Sequence, residues 1–128
     1  MRLLLDTHTF IWWDSDPRRI SPSALCACND RNNDLLLSVA SVWEMQIKSQ
    51  LGKLHLGCPL SRIIEGQRAA NLVEILPVQL EHVLALDEIP PLHRDPFDRL
   101  LIAQARVEEA VLVSADPVFT GYPVEVLW

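Results

Sequence analysis

Leu3-Leu4-Leu5-Asp6-Thr7-His8 opens with three consecutive apolar residues and then switches to a carboxylate. A short unbroken apolar run predicts a strand buried on both faces, and the switch marks its end. The same pattern returns at Leu35-Leu36-Leu37-Ser38-Val39 and at Val111-Leu112-Val113-Ser114, with lesser candidates at 72–76 and 124–127.

Helical segments fall between these runs. Thr7 to Trp13 forms a short one with an aromatic and aliphatic face. Ser21-Pro22 supplies a cap and a first-position proline for a helix reaching Asn29. Ser41-Val42-Trp43-Glu44 opens another, stopped near Leu51-Gly52. Pro59 to Asn71 is amphipathic, with Leu60, Ile63, Ile64 and Ala70 on its apolar side, and Val78 to Leu86 is helical until Ile89-Pro90-Pro91 breaks it. The strongest helix starts at Asp95-Pro96-Phe97-Asp98 and runs to about Glu109. Apolar strands alternating with helices predict an α/β protein whose parallel sheet is covered on both faces. Ligands of such sheets bind beyond the carboxyl ends of the strands.

The 128 residues suit one domain, expected to span 1–128, with no internal repeat or low-complexity linker. No run approaches the ~20 apolar residues of a membrane span, and Asp6 interrupts the start too early for a signal-peptide core. A soluble cytoplasmic protein is expected. Cys26, Cys28 and Cys58 give no disulfide framework or zinc spacing and are read as small buried or half-buried apolar residues. The net charge of −6 weighs against phosphate binding through basic clusters, since only Arg18-Arg19 are adjacent.

The acids themselves are the chemical signal. Asp6 directly follows a predicted strand, Asp116 lies just past another, and Glu44 and Asp98 fall in predicted first helical turns. From Glu44, helical spacing leads to Ile47 and Leu51, and from Asp98 to Leu101, Ile102 and Ala105, so both acids head an inward-facing stripe. Four carboxylates in one crevice repel one another unless a cation joins them, and magnesium or manganese matches all-oxygen ligands. Each acid also has a structural reading. Ser41 to Glu44 fits a capping box, Asp95 and Asp98 fit a helix start, and Asp6 and Asp116 fit strand-end turns. Joint placement at one edge favours the site.

Leu3 to His8, Ser41-Val42-Trp43-Glu44-Met45-Gln46-Ile47-Lys48, Pro90-Pro91-Leu92-His93-Arg94-Asp95-Pro96-Phe97-Asp98-Arg99-Leu100-Leu101-Ile102-Ala103-Gln104-Ala105 and Val113-Ser114-Ala115-Asp116 resemble, in order, the sequence blocks of the PIN-domain superfamily, in particular the VapC-type toxins of bacterial toxin–antitoxin pairs. The likeness extends to Val126-Leu127-Trp128, and the third block is its most specific part. It implies a three-layer α/β/α sandwich with a central parallel sheet, Asp6, Glu44 and Asp98 as central metal-binding acids and Asp116 as a more variable fourth. It further implies Mg²⁺- or Mn²⁺-dependent endonucleolytic cleavage of RNA by activated water, leaving 5′-phosphate and 3′-hydroxyl ends, together with a homodimer and a cognate antitoxin.

Thr7 and Ser114 are candidates to orient the metal-binding carboxylates, though such hydroxyls more often satisfy backbone groups. Ser114 stands where the family often has Thr. Asp95 is expected to be a cap with a lesser claim on the site, and Arg99, like Arg94, either contacts phosphate or makes a structural ion pair. His8 and His93 raise a metal-free route without a convincing partner. Trp12, Trp13 and Trp43 stack bases, receive a partner helix, or, for at least two of them, pack the core. Competing readings are a metal-dependent phosphatase, disfavoured because His8 replaces the second Asp of the aspartyl-phosphate pattern, and a catalytically idle partner-binding domain.

Overall fold

A computed structural model describes residues 1–92 and 95–128. Five strands, β1 (Arg2–Leu5), β2 (Asp34–Ser38), β3 (Glu74–Leu76), β4 (Val111–Val113) and β5 (Val126–Leu127), form one sheet in the order β3-β2-β1-β4-β5. Every pairing is parallel, with Leu3 to Leu5 beside Leu35 to Leu37 on one side and Val111 to Val113 on the other. Strand order therefore turns around at β1, whose next strand in sequence lies to one side and β4 to the other.

The helices are α1 (Thr7–Ser15), α2 (Pro22–Asn29), α3 (Val39–Gln50), α4 (Leu60–Asn71), α5 (Leu80–Leu84) and α6 (Pro96–Val107), with 3₁₀ turns at Pro17–Arg19, Ala85–Glu88 and Pro117–Gly121. Strand alternation sorts the core into two layers. Leu3, Leu5, Leu35, Leu37, Val111 and Val113 pack with Phe10, Trp13, Ala24, Cys28 and Met45. Leu4, Leu36 and Leu112 pack on the opposite face with Leu101, Ile102, Ala105 and Phe119. The three-layer sandwich with a parallel sheet is as expected. No helix among the described residues is long and apolar enough to cross a membrane.

Several local expectations are corrected. The cap of α3 is Ser38, whose hydroxyl accepts from Ala40 N at 3.0 Å, and not Ser41. Glu44 is thus the sixth residue of α3, beyond its first turn, and forms no capping box there. Strand pairing decides this: Ser38 pairs with Leu76, and the chain turns into the helix at once. Leu72 closes α4 in the left-handed region (φ 56°), so β3 begins only at Glu74, and Ala70 is exposed. Cys26 and Cys58 are exposed, whereas Cys28 is buried, and burial pushes its thiol up to about 11. That value keeps Cys28 an unreactive core residue.

The α5–α6 layer has its own polar brace. His82 is fully buried; its Nδ1 accepts from Gln79 N at 3.0 Å, so Nε2 carries the proton that meets Glu108 Oε2 at 2.9 Å. Arg2 Nη1 reaches Glu108 Oε1 at 3.2 Å. The His82 hydrogen bond chiefly, opposed by burial and aided by Arg2, holds the Glu108 carboxyl below its ordinary 4.5. A lowered pKa contributes stability above the unfolded-state value, lost as pH falls through the folded one. Wild type should therefore exceed Glu108→Gln in urea-unfolding stability at neutral pH, the gap closing below about pH 4.5. A gap constant from pH 7 to the acid limit would contradict this brace.

Candidate active site at the carboxyl edge of the sheet

Leu5 pairs with Val113, so the chain leaves β1 and β4 side by side at the sheet's turning point. Asp6 is the first residue beyond β1 and is only 7% exposed. One carboxylate oxygen, Oδ1, caps α1 by accepting from Thr9 N at 2.7 Å. The other, Oδ2, accepts a short hydrogen bond from Ser114 Oγ, just past β4. Ser114 Oγ in turn accepts from Asp116 N at 3.0 Å, tying the Asp116 loop to Asp6. The structural and chemical readings of Asp6 are therefore compatible, because capping occupies one oxygen only. Among the described residues, no Lys, Arg or His nitrogen makes an ion pair with it.

Glu44, 8% exposed, projects from α3 toward the start of α1. Thr7 Oγ1 donates to its Oε1 at 2.6 Å, and Lys48, one turn later, reaches Oε2 at 2.8 Å. Thr7 and Ser114, given the lesser weight as carboxylate partners by their sequence alone, both donate to acids here. Sequence reading missed Lys48, although its i+4 spacing from Glu44 was the available signal. It also missed Thr9, fully buried, whose hydroxyl donates to Val113 O at 3.0 Å and locks α1 to β4.

Asp98 stands half-buried in the first turn of α6. Its neighbour Phe97 packs edge-on against Trp43, the residue before Glu44, with ring centroids 5.4 Å apart, so α6 and α3 bring their acid-bearing turns together. Asp95 caps α6 as expected, Oδ1 accepting from Phe97 N at 2.9 Å. Arg99 donates to the carbonyls of Pro90 at 2.9 Å and Ile89 at 3.2 Å, which makes it a brace for the preceding loop. His93 and Arg94 lie outside the described residues.

Asp116 is exposed and caps the turn Pro117–Gly121 through Val118 N at 3.0 Å. With Asp6, His8, Trp12 and Ala115 it walls a cleft of about 250 Å³. Of the three tryptophans singled out, Trp13 is core, Trp12 is half-buried at this cleft, and Trp43 is 63% exposed. At least two were expected to pack the core: Trp13 is buried within it and Trp12 packs partly against it, whereas Trp43 is exposed.

The donor set suits a hard divalent cation. Asp6 is a buried carboxylate whose described partners are a hydroxyl and an amide, both neutral, and Lys48 supplies one positive charge to Glu44. No three of these acids bring oxygens within 4.8 Å of one another among the described residues. Glu81, His82 and Glu108 do lie that close. They are a poor metal site, because His82 Nδ1 is used by a backbone amide and Nε2 carries a proton.

A parallel sheet with its acids at the turning point defines an α/β/α protein with an acidic crevice, and comparison with known proteins agrees. The sequence matches the PIN domain family over residues 3–124. It is 30% identical over 115 residues to Ribonuclease VapC22 of Mycobacterium tuberculosis, covering 89% of this chain and 86% of that protein. This chain belongs to the PIN-domain family. Its fold is similar to that of a chain in the crystal structure of VapBC2 from Rickettsia felis bound to a promoter DNA fragment (TM-score 0.73, 18% identity, covering 99% of this chain and 98% of that one). A chain of FitAcB from Neisseria gonorrhoeae is similar too (TM-score 0.64, 20% identity, 98% and 96% covered).

Proposed function

We propose that this protein is a metal-dependent endoribonuclease, a single nuclease domain over residues 1–128 acting as the toxin of a toxin–antitoxin pair. The observation that carries the reading is Asp6: a buried carboxylate without an ion-pair partner among the described residues, joined to Asp116 through Ser114 at the edge where parallel sheets bind ligands. Membership of the PIN-domain family and the likeness to Ribonuclease VapC22 support RNA as the substrate.

Asp6, Glu44, Asp98 and Asp116 would hold Mg²⁺ or Mn²⁺. Such an ion, when bound, makes water nucleophilic near neutral pH and stabilises negative charge on a phosphodiester. The chain's own part is to fix the ligands. Ser114 and Thr9 N–H hold the two oxygens of Asp6, and Thr7 and Lys48 hold those of Glu44. These contacts orient the carboxylates before anything binds. Positive charge gathered there offsets the net charge of −6 and admits a polyanion.

A cognate antitoxin and a second copy of the chain are proposed partners. Structures of similar fold include a toxin–antitoxin complex from Klebsiella pneumoniae. Leu80, Val83 and Leu84 of α5 and Trp43 of α3 expose apolar surface suited to such contacts. The absence of any membrane-crossing helix among the described residues accords with a cytoplasmic site of action.

The assay is cleavage of single-stranded RNA by the purified protein with Mg²⁺ or Mn²⁺ and with chelator. Cleavage leaving 5′-phosphate ends, lost in chelator and restored by the metal, is expected. Activity persisting in chelator, or turnover of phosphomonoesters with RNA left intact, would overturn the reading.

A further inference from the structure

The cleft that holds Asp6 and Asp116 has an aromatic wall that metal binding leaves unexplained. His8 and Trp12 stand one turn apart on α1 and so share a face, with ring centroids 5.9 Å apart and planes tilted by 44°. Trp128, from the end of the chain, meets Trp12 edge-on at 6.0 Å. The Arg19 guanidinium lies over the Trp12 ring, 4.5 Å from its centroid. Core packing explains the adjacent Trp13, which is buried and donates from Nε1 to Asn29 at 3.3 Å. Trp12 packs only partly against that core and is half-buried at the cleft, where His8 stands exposed beside it.

Charge sharpens the point. A strand of nucleic acid entering this cleft meets two carboxylates and finds few basic side chains in a chain of net charge −6. Affinity gained through uncharged base faces avoids that repulsion, and every base offers a π-face to an aromatic side chain. Arg18 is already paired with Asp16 at 3.1 Å, but Arg19 has no carboxylate within ion-pair distance among the described residues. It is exposed, held by Trp12, and available to a phosphate.

We propose that His8 and Trp12, steadied by Trp128 and Arg19, form a nucleobase-binding subsite that seats one unpaired base flanking the bond to be cut, Arg19 facing the adjoining phosphate. The proposal rests on the ribonuclease reading above and adds how the strand is placed. It makes unpaired RNA the preferred form, since a base within a duplex cannot reach an aromatic wall.

The test uses a short single-stranded RNA that the full-length protein cleaves, and versions carrying an abasic nucleotide at each position flanking the cut. At one flanking position, base removal should raise the wild-type KM about tenfold or more, the range of base–aromatic stacking. Trp12→Leu should raise KM on intact RNA by a similar factor, with kcat changed less than about threefold, and Trp12→Phe should recover most of the loss. On the abasic RNA, Trp12→Leu should cost nothing further, because the base it contacts is already gone. His8→Ala, a change at an exposed position, gives the same pattern at smaller size and guards against misfolding of the tryptophan variant. Penalties that multiply on the abasic RNA, or KM values untouched by both substitutions, would overturn the subsite while leaving the nuclease in place. Wild-type protein that cuts no RNA would overturn both.

Discussion

Asp6→Asn is expected to lower RNA cleavage by about a thousandfold or more, roughly 4 kcal/mol of transition-state stabilisation, while unfolding stability changes by less than about 1 kcal/mol. The two readouts separate because Asp6 does two jobs with two oxygens. Its Oδ1 caps α1 through Thr9 N at 2.7 Å, and an asparagine carbonyl caps about as well. The negative charge is what Asn removes, together with one anionic oxygen facing Ser114. Asp6→Ala should differ in being slow and also destabilised by about 1 kcal/mol, since the cap is lost as well. Equal damage to stability and cleavage in Asp6→Asn would mean that the residue serves the fold alone.

The second large effect is on the scaffold. Leu4 lies at the middle of the central strand, fully buried, against Leu101, Ile102, Ala105 and Phe119. Leu4→Ala should cost about 3–5 kcal/mol, because the sheet above and the α6 layer below cannot both collapse onto the gap. For a chain of this size that is a fall in Tm of about 10–20 °C, measurable by calorimetry. Asp6 is two residues further on, so a fully folded Leu4→Ala population should still cleave RNA; a loss under about 1 kcal/mol would show that the two-layer packing is misassigned.

Much of this arrangement was legible in the sequence, for physical reasons that differ by residue. Leu3 to Leu5, Leu35 to Leu37 and Val111 to Val113 read as buried strands because both faces of a parallel sheet are covered, and the structure pairs all three. Ser21-Pro22 and Asp95-Pro96 read as helix starts because cap and proline act locally, and both caps form. The start of α3 did not read correctly. Ser38 and Ser41 are both sound caps locally, and the choice falls to where β2 stops pairing with β3, a tertiary fact. Of the site, strand-end position marked Asp6 and Asp116, and helical stripes marked Glu44 and Asp98. The couplings among them were hidden, since Ser114 meets Asp6 across 108 positions and Thr7 meets Glu44 across 37. Arg19 over Trp12 was equally hidden, because the Pro17–Arg19 turn brings the guanidinium back onto a helix that has already ended.

The central claim is that distant acids gather at the carboxyl edge of the sheet to bind a divalent cation. Titration of the purified protein with Mn²⁺, followed by the loss of the free-ion electron paramagnetic resonance signal, reads this without any substrate. Saturable binding by wild type, weakened at least about tenfold in Asp6→Asn and in Asp98→Asn but unchanged in Glu81→Gln, is the predicted result. No saturable binding, or binding untouched by the Asp6 and Asp98 changes, would contradict it.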